Sequence, residues 1–323
     1  MVSLDYHMEN VMKQFDILSF GEPLFEFNQL PTEHSEQHYL SGFGGDTSNF
    51  AISAARQGAK VAMLTRLGDD IFGQKFRALW DEEKVDHQWV CTHKMAPTGI
   101  YFISHNEQGH HFTFYRKGSA ASTMTVDDIN ESAIAAARLF HSSAITHAIG
   151  NNVSDALFHA IELCQKHQTL ISFDTNLRLK LWPLARARAI IHETIRHVDY
   201  CMPSLDEARL LTGKHHADEI TDFYLQLGAK NVVLKMGAEG AMFANENRRI
   251  IYSGHKVATV DATGAGDCFS GAFLYRIIKG DSPEEALCYA NAAAALTTTG
   301  YGAVAPIPRQ SQVEILIQQT QLQ

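Results

Sequence analysis

The chain has 323 residues, 45% hydrophobic and 20% charged, a globular composition that excludes a fibrous or wholly disordered protein and can bury a core without metal or disulfide. Its 27 Lys and Arg against 36 Asp and Glu leave a net charge of −9, which argues against a nucleic-acid partner, because phosphate binding draws on clustered positive charge. An acidic small molecule would need local Arg or Lys against that field.

Residues 1–14 include Asp5, His7, Glu9 and Lys13 and lack the apolar stretch of a secretory signal, and no later run is long enough to span a membrane. A cytoplasmic protein without a membrane partner is the expectation. Residues 15–20 (FDILSF) predict a buried strand closed by Gly21, and 24–27 and 37–40 predict half-exposed strands separated by Pro31. Apolar residues at 50, 51, 54 and 55 then predict a helix over 46–57 stopped by Gly58. A strand at 61–65 and a helix at 71–83 continue a βαβα rhythm, which implies a mainly parallel sheet with helices on both faces.

Between Pro97 and Ser119 the stretches GIYFIS and HFTFY flank the polar residues 106–109, a hairpin signal. Beyond 122 the expected order is helix 126–138, strand 139–149, helix 153–167, strand 169–174, helix 184–196, strand 198–202, helices 204–212 and 217–227, and strand 231–235. Returning strands follow at 237–243 and 249–253, then a strand at 256–260 and helices near 268–279, 283–299 and 310–321. The α/β body thus takes residues 15–21, 46–94 and 122–323, and a small β lid takes 22–45 and 95–121. The five cysteines form no Cys-x-x-Cys pair, so reduced thiols are expected, with Cys268 a small buried apolar residue. The 17 histidines show no helical ligand pair and are expected on the surface or in loops, which leaves no metal cluster.

Two glycine clusters carry the chemistry. Residues 261–271 (DATGAGDCFSG) form a turn leading into an apolar helix. Backbone N–H groups at a helix start carry partial positive charge, and glycines allow a phosphate to approach them. Asp267, where the helix begins, can accept a proton from an attacking hydroxyl, and an N-cap Asp is the alternative reading. The second cluster, 42–49 (GFGGDTSN), also precedes a helix; Asp46 and Asn49 offer polar groups to sugar hydroxyls, or Asp46 is a plain N-cap. There is no Walker-type phosphate loop, and 300–305 (GYGAVA) follows a helical stretch, the wrong context for a dinucleotide fingerprint.

The stretches 44–70 (GGDTSNFAISAARQGAKVAMLTRLGDD) and 261–273 resemble the two signatures of the PfkB, or ribokinase-like, carbohydrate kinases, over about residues 15 to 310. The resemblance implies a ribokinase-like, doubly wound, mainly parallel sheet flanked by helices, with a small β lid, and transfer of the γ-phosphoryl of ATP to a sugar hydroxyl. Asp267 then resembles the base, and Gly264, Ala265 and Gly266 the turn whose amides form an anion hole. Gly44, Gly45, Asp46 and Asn49 resemble the sugar site. Lys235, Gly237 and Gly240 fall at the nucleotide loop, and Asn291 near the adenine. Ser204-Leu205-Asp206-Glu207 stands where the family has Asn-x-x-Glu, with Glu207 linked to Mg²⁺; helix capping is an equal reading of Ser204.

Two arginines bear on the substrate, because charge-assisted hydrogen bonds to a carboxylate suit a planar guanidinium. Arg116 (FYRKGSA) and Arg178 (DTNLRLKLW), with Tyr101, resemble the acid-end contacts of 2-keto-3-deoxygluconate kinases, Phe114 standing where a Tyr is usual. A surface or interdomain salt bridge is the alternative for either arginine. The expected substrate is 2-dehydro-3-deoxy-D-gluconate, phosphorylated at its 6-position. The alternatives are 5-dehydro-2-deoxygluconate, 2-dehydro-3-deoxygalactonate or fructose as substrate, or a non-catalytic sugar-acid sensor on the same fold. The resemblance also implies a K⁺-type monovalent cation near Asp261, Thr263 and the 297–303 loop, and a homodimer through the lid.

Overall fold

A computed structural model describes residues 13–30, 38–106 and 109–321. In chain order the elements are β1 (Phe15–Phe20), β2 (Leu24–Gln29), β3 (Tyr39–Gly44), α1 (Asp46–Arg56), β4 (Val61–Gly68), α2 (Ile71–Glu82), β5 (Val85–His93), β6 (Gly99–Asn106) and β7 (Gly109–Tyr115). There follow α3 (Glu131–Ala136), β8 (Ala137–Ser143), α4 (Ala144–Ala148), α5 (Asn151–Lys166), β9 (Leu170–Asp174), α6 (Leu184–Ile195), β10 (Tyr200–Cys201), α7 (Leu205–Thr212) and α8 (Ala217–Leu227). The chain closes with β11 (Asn231–Lys235), β12 (Ala241–Asn245), β13 (Arg249–Tyr252), α9 (Ala265–Lys279), α10 (Pro283–Thr297) and α11 (Gln310–Gln321).

Nine strands form one sheet in the order β13-β12-β11-β10-β9-β8-β1-β4-β5, parallel except at β12 and β13. β1 and β4 inside this sheet are buried almost throughout, which is why FDILSF and VAMLT read as apolar runs. Ile17, Phe50 and Phe273 pack on the face covered by α1, α2, α9 and α10; Leu18, Phe140 and Leu157 pack on the other, under α5, α6 and α8. Strand order reverses beside β1, with β4 on one side and β8 on the other. In sheets of this kind, ligands lie beyond the carboxyl ends of the strands at that reversal.

A second sheet, β3-β2-β6-β7, is woven from the two excursions at 24–44 and 99–115. β2 and β6 pair in parallel, and the β2–β3 and β6–β7 pairs are antiparallel. Leu24, Phe25 and Glu26 are buried, so the expectation of a half-exposed β2 is corrected; Phe25 packs against Phe43, Phe72 and Phe76 beneath this sheet. Residues 1–12, Pro31, Gln37, Glu107 and Gln108 of the sequence reading lie outside the described residues.

Other expectations fail for local reasons. The helix at 126–138 is a 3-10 turn at Val126–Asp128 with a Thr125/Asp128 capping box, then α3, capped by Asn130. The strand at 139–149 ends at Ser143, whose Oγ accepts from the Ile145 amide and starts α4. No strand forms at 256–260; the segment runs irregularly, and the amides of Val260 and Asp261 donate to the Thr298 carbonyl. His141 and His147 are core residues, with His141 stacked on Phe50 and His147 bonded to Ser154 and Thr194. Burial lowers both imidazole pKa values, that of His147 to about 3.

Candidate active site

The two glycine clusters meet. α1 and α9 pack side by side, and Asn49 Nδ2, in the first turn of α1, donates to Asp267 Oδ2, in the first turn of α9, at 2.8 Å. Gly45 caps α1 at φ 94°, and a Cβ built there would stand 2.4 Å from the Glu22 carbonyl oxygen. A Cβ on Gly44 would strike the Tyr101 hydroxyl at 2.5 Å. These glycines let the chain entering from the small sheet and the Tyr101 ring close over the start of α1. Asp46 accepts from Asn176 Nδ2 at 2.9 Å, so it is more than an N-cap. Its second oxygen and Asn49 Oδ1 are buried with no hydrogen-bond partner among the described residues, and such atoms favour a polar ligand.

α9 begins at Ala265, three residues before the expected start, behind Gly264 at φ 75°. A Cβ on Gly264 would lie 2.7 Å from the Ala303 carbonyl oxygen, so glycine is required there on both counts. The first helical bond runs from the Cys268 amide to the Gly264 carbonyl at 2.8 Å. The Gly266 and Asp267 amides therefore precede the hydrogen-bond ladder of the helix. The Ala265 amide donates to the Ala262 carbonyl at 3.2 Å. The Asp267 carboxyl is pushed up to about 8 by burial and by the charges of Asp46 and Asp174, against the Asn49 hydrogen bond and the Lys235 charge.

Asp174 was not singled out from sequence. It ends β9, accepts a hydrogen bond from Lys235 at the end of β11, and lies 3.4 Å from Ser270 Oγ. Burial works to lower the Lys235 pKa, but the charge and hydrogen bond of Asp174, with Glu207 and Asp267 behind them, raise it overall. A Cβ built on Gly266 would stand 3.6 Å from Lys235 Nζ. The ammonium therefore sits beside the turn.

Both arginines already have carboxylate partners. Arg116 Nε donates to Glu22 Oε2 at 2.7 Å, its Nη2 forms an ion pair with the same oxygen, and Ser119 holds Glu22 Oε1. The guanidinium lies over the Phe114 ring and its charge reaches Asp46. Arg178 Nη1 donates to Glu207 Oε1 at 2.9 Å and is half exposed. Arg178 thus makes a surface salt bridge, whereas the Arg116–Glu22 pair is buried within the small sheet's part of the chain, neither at the surface nor between domains. Tyr101 donates to Glu26, its neighbour across the β2–β6 register, which is buried. Glu22 was missed because it falls between the strands expected at 15–20 and 24–27, and Glu26 because 24–27 was expected to be half-exposed; two acids in an otherwise apolar stretch were the available signal.

After β11, Gly237 (φ 61°) and Gly240 (φ 100°) turn the chain towards β12. Glu207 accepts from Arg178 and, at 3.3 Å, from Thr175. Ser204 occupies the N-cap of α7 without a side-chain capping bond, which corrects the capping reading, and its backbone bridges to Lys235. Asn291, buried on α10, donates to the Tyr252 carbonyl at 3.2 Å. Thr263 and the Gly302 amide both donate to Asp261. No group of three or more His, Cys, Asp or Glu among the described residues is placed to hold a metal ion, and no helix there is long and apolar enough to cross a membrane.

Residues 14–310 match the pfkB family of carbohydrate kinases, a span that includes every group described above. The chain belongs to that family. This kinase is 33% identical to a 2-dehydro-3-deoxygluconokinase of Thermoproteus tenax, over 92% of this chain and 93% of that one. It is 32% identical to fructokinase-1 of Zea mays, over 94% and 97%. Among solved structures it superposes on a putative ribokinase II from E. coli in complex with ATP and Mg²⁺, with TM-score 0.87 and 26% identity over 94% of this chain and 99% of that one. The ribokinase-like α/β fold and a sugar-kinase activity follow from these matches.

Proposed function

We propose that this kinase phosphorylates 2-dehydro-3-deoxy-D-gluconate on its 6-hydroxyl with ATP as donor. The observation that carries the reading is the 2.8 Å contact of Asn49 with Asp267, which joins a polar helix start suited to a polyol to a bare helix start suited to an anion. The sugar lies against Gly44, Gly45, Asp46 and Asn49, with Tyr101, Arg116 and Arg178 around it. Asp267 accepts the proton of the attacking hydroxyl. The amides of Gly266 and Asp267, behind Gly264 and Ala265, face the transferred phosphoryl, where positioning and charge stabilisation supply most of the catalysis.

The nucleotide runs along Lys235, Gly237, Gly240 and Ser204 towards Asn291. Mg²⁺ fits as an ion held mainly by phosphate oxygens, with Glu207 the carboxylate nearest that role, because the described residues offer no preformed cage. When bound it neutralises phosphate charge. A monovalent cation such as K⁺ would take the loop of Asp261, Thr263 and 297–303. The small sheet covers the sugar and excludes water, and its exposed Tyr39, Phe114 and Tyr115 suit pairing with a second copy, a state that light scattering reads directly.

Fructose is the second reading. It is favoured by the internal partners of Arg116 and Arg178, which leave neither guanidinium's charge uncompensated, and by the comparable similarity to a fructokinase. A coupled ADP-release assay over sugar acids and neutral sugars decides between them. The acid reading expects kcat/KM for 2-dehydro-3-deoxygluconate at least about a hundredfold above that for fructose; equal values overturn it and leave the kinase.

A further inference from the structure

The anion-binding turn is short of donors for the job assigned to it. Of the three amides at the start of α9, Ala265 is spent on Ala262, which leaves Gly266 and Asp267. The surroundings are acidic as well: beyond the effect of burial, the charge of Asp174 raises both Asp46 and Asp267, and that of Asp46 raises Asp267. A phosphoryl group entering such a site meets repulsion unless a fixed positive charge stands beside its path.

Lys235 is placed to be that charge. Among the described residues its Nζ is the sole atom within 4 Å of a Cβ built on Gly266, outside the helix's own backbone and the neighbouring residues, so that side of the exposed glycine opens directly onto the ammonium. Asp174 and Ser270 hold the ammonium from behind, and Lys235 grows from the carboxyl end of a core strand with little side-chain exposure. Its position is thus fixed before substrate arrives, the condition under which an electrostatic contact favours the transition state.

Resting on the kinase reading above, we infer that Lys235 is a catalytic residue that contacts the transferred phosphoryl alongside the Gly266 and Asp267 amides, and that Asp174 is the residue that positions it. Donor, acceptor and proton follow the same course as before: the sugar oxygen to phosphorus bond forms, the bond to the leaving diphosphate breaks, and Asp267 takes the proton. Lys235 stays protonated throughout.

The alternative is that Lys235 merely neutralises buried Asp174. Three variants separate the two, each measured in the ADP-release assay and by thermal melting. Lys235→Met leaves Asp174 unpaired and unfolding can obscure the result, because breaking a buried pair is costly. Lys235→Met/Asp174→Asn removes both charges and restores the melting temperature. The expected result is kcat at least about a hundredfold down in both, with sugar KM within about threefold of the parent, while Asp174→Asn alone keeps at least about a tenth of kcat.

Recovery of turnover in the double variant, or a loss in Asp174→Asn as deep as in Lys235→Met, overturns the inference. A parent enzyme that phosphorylates none of the sugars would instead overturn the kinase reading, so the two failures are distinguishable.

Discussion

α1 and α9 begin alike and are used differently. Each opens behind a glycine of positive φ, carries an aspartate in its first turn and packs on the same face of the large sheet. At α1 the Glu22 carbonyl and the Tyr101 hydroxyl crowd the glycines, so what the helix start offers is side-chain chemistry, Asp46 and Asn49. At α9 the backing is the Ala303 carbonyl, Gly266 is exposed, and the amides themselves face out. A glycine-led helix start is therefore not one kind of site. What packs against it decides whether it offers hydroxyl partners or an anion cradle.

The comparison breaks first at Asp267. Asp267→Asn is expected to lower kcat by about a thousandfold, within the range for losing a general base, with sugar binding by calorimetry retained; unaltered turnover removes the carboxylate from the mechanism. Because the folded-state pKa stands near 8, kcat/KM of the parent should climb as pH rises through that value. The stability of the unliganded fold should move the other way, fully present at low pH and lost as pH rises through about 8, since burial favours the protonated carboxyl. The Asn variant should melt with a flatter pH dependence, and identical profiles would contradict the assignment.

A paired substitution sharpens the contrast. Gly264→Ala and Gly45→Ala both place a Cβ against a carbonyl at positive φ. The first should lower kcat about a hundredfold with sugar KM little changed, whereas the second should raise sugar KM about tenfold or more with a smaller change in kcat. If both act on the same constant, the division of labour is wrong. The smallest effect expected is that of Asn49→Ala. It should cost about tenfold in kcat/KM and move the pH midpoint upward, because the Asn49 hydrogen bond works to lower the Asp267 pKa.

Much of this arrangement was legible in the chain. The βαβ rhythm follows from apolar periods of 2 and 3.6, and the two glycine clusters mark their helix starts because few other residues tolerate those backbone angles. Partners distant in sequence were not legible. Nothing local to Arg116 announces Glu22, 94 positions earlier, and nothing near Lys235 announces Asp174, 61 earlier. Loose alternation made the strand of Glu26 half-exposed, yet β2 lies between β3 and β6 with this acid buried and turned onto Tyr101. The strand expected at 256–260 failed because β-branched residues signal extension and not a neighbour to pair with.

The parallel seam of the small sheet sets an order of assembly. Glu26 and Tyr101 are 75 positions apart, and β4, α2 and β5 lie between them in the chain. β2 can pair early with its chain neighbour β3, but its other edge must wait until β4, α2 and β5 have been made and β6 follows them. High contact order of this kind slows folding. In refolding, protection of the Phe27 and Phe102 amides from deuterium should lag behind that of β1 and β4.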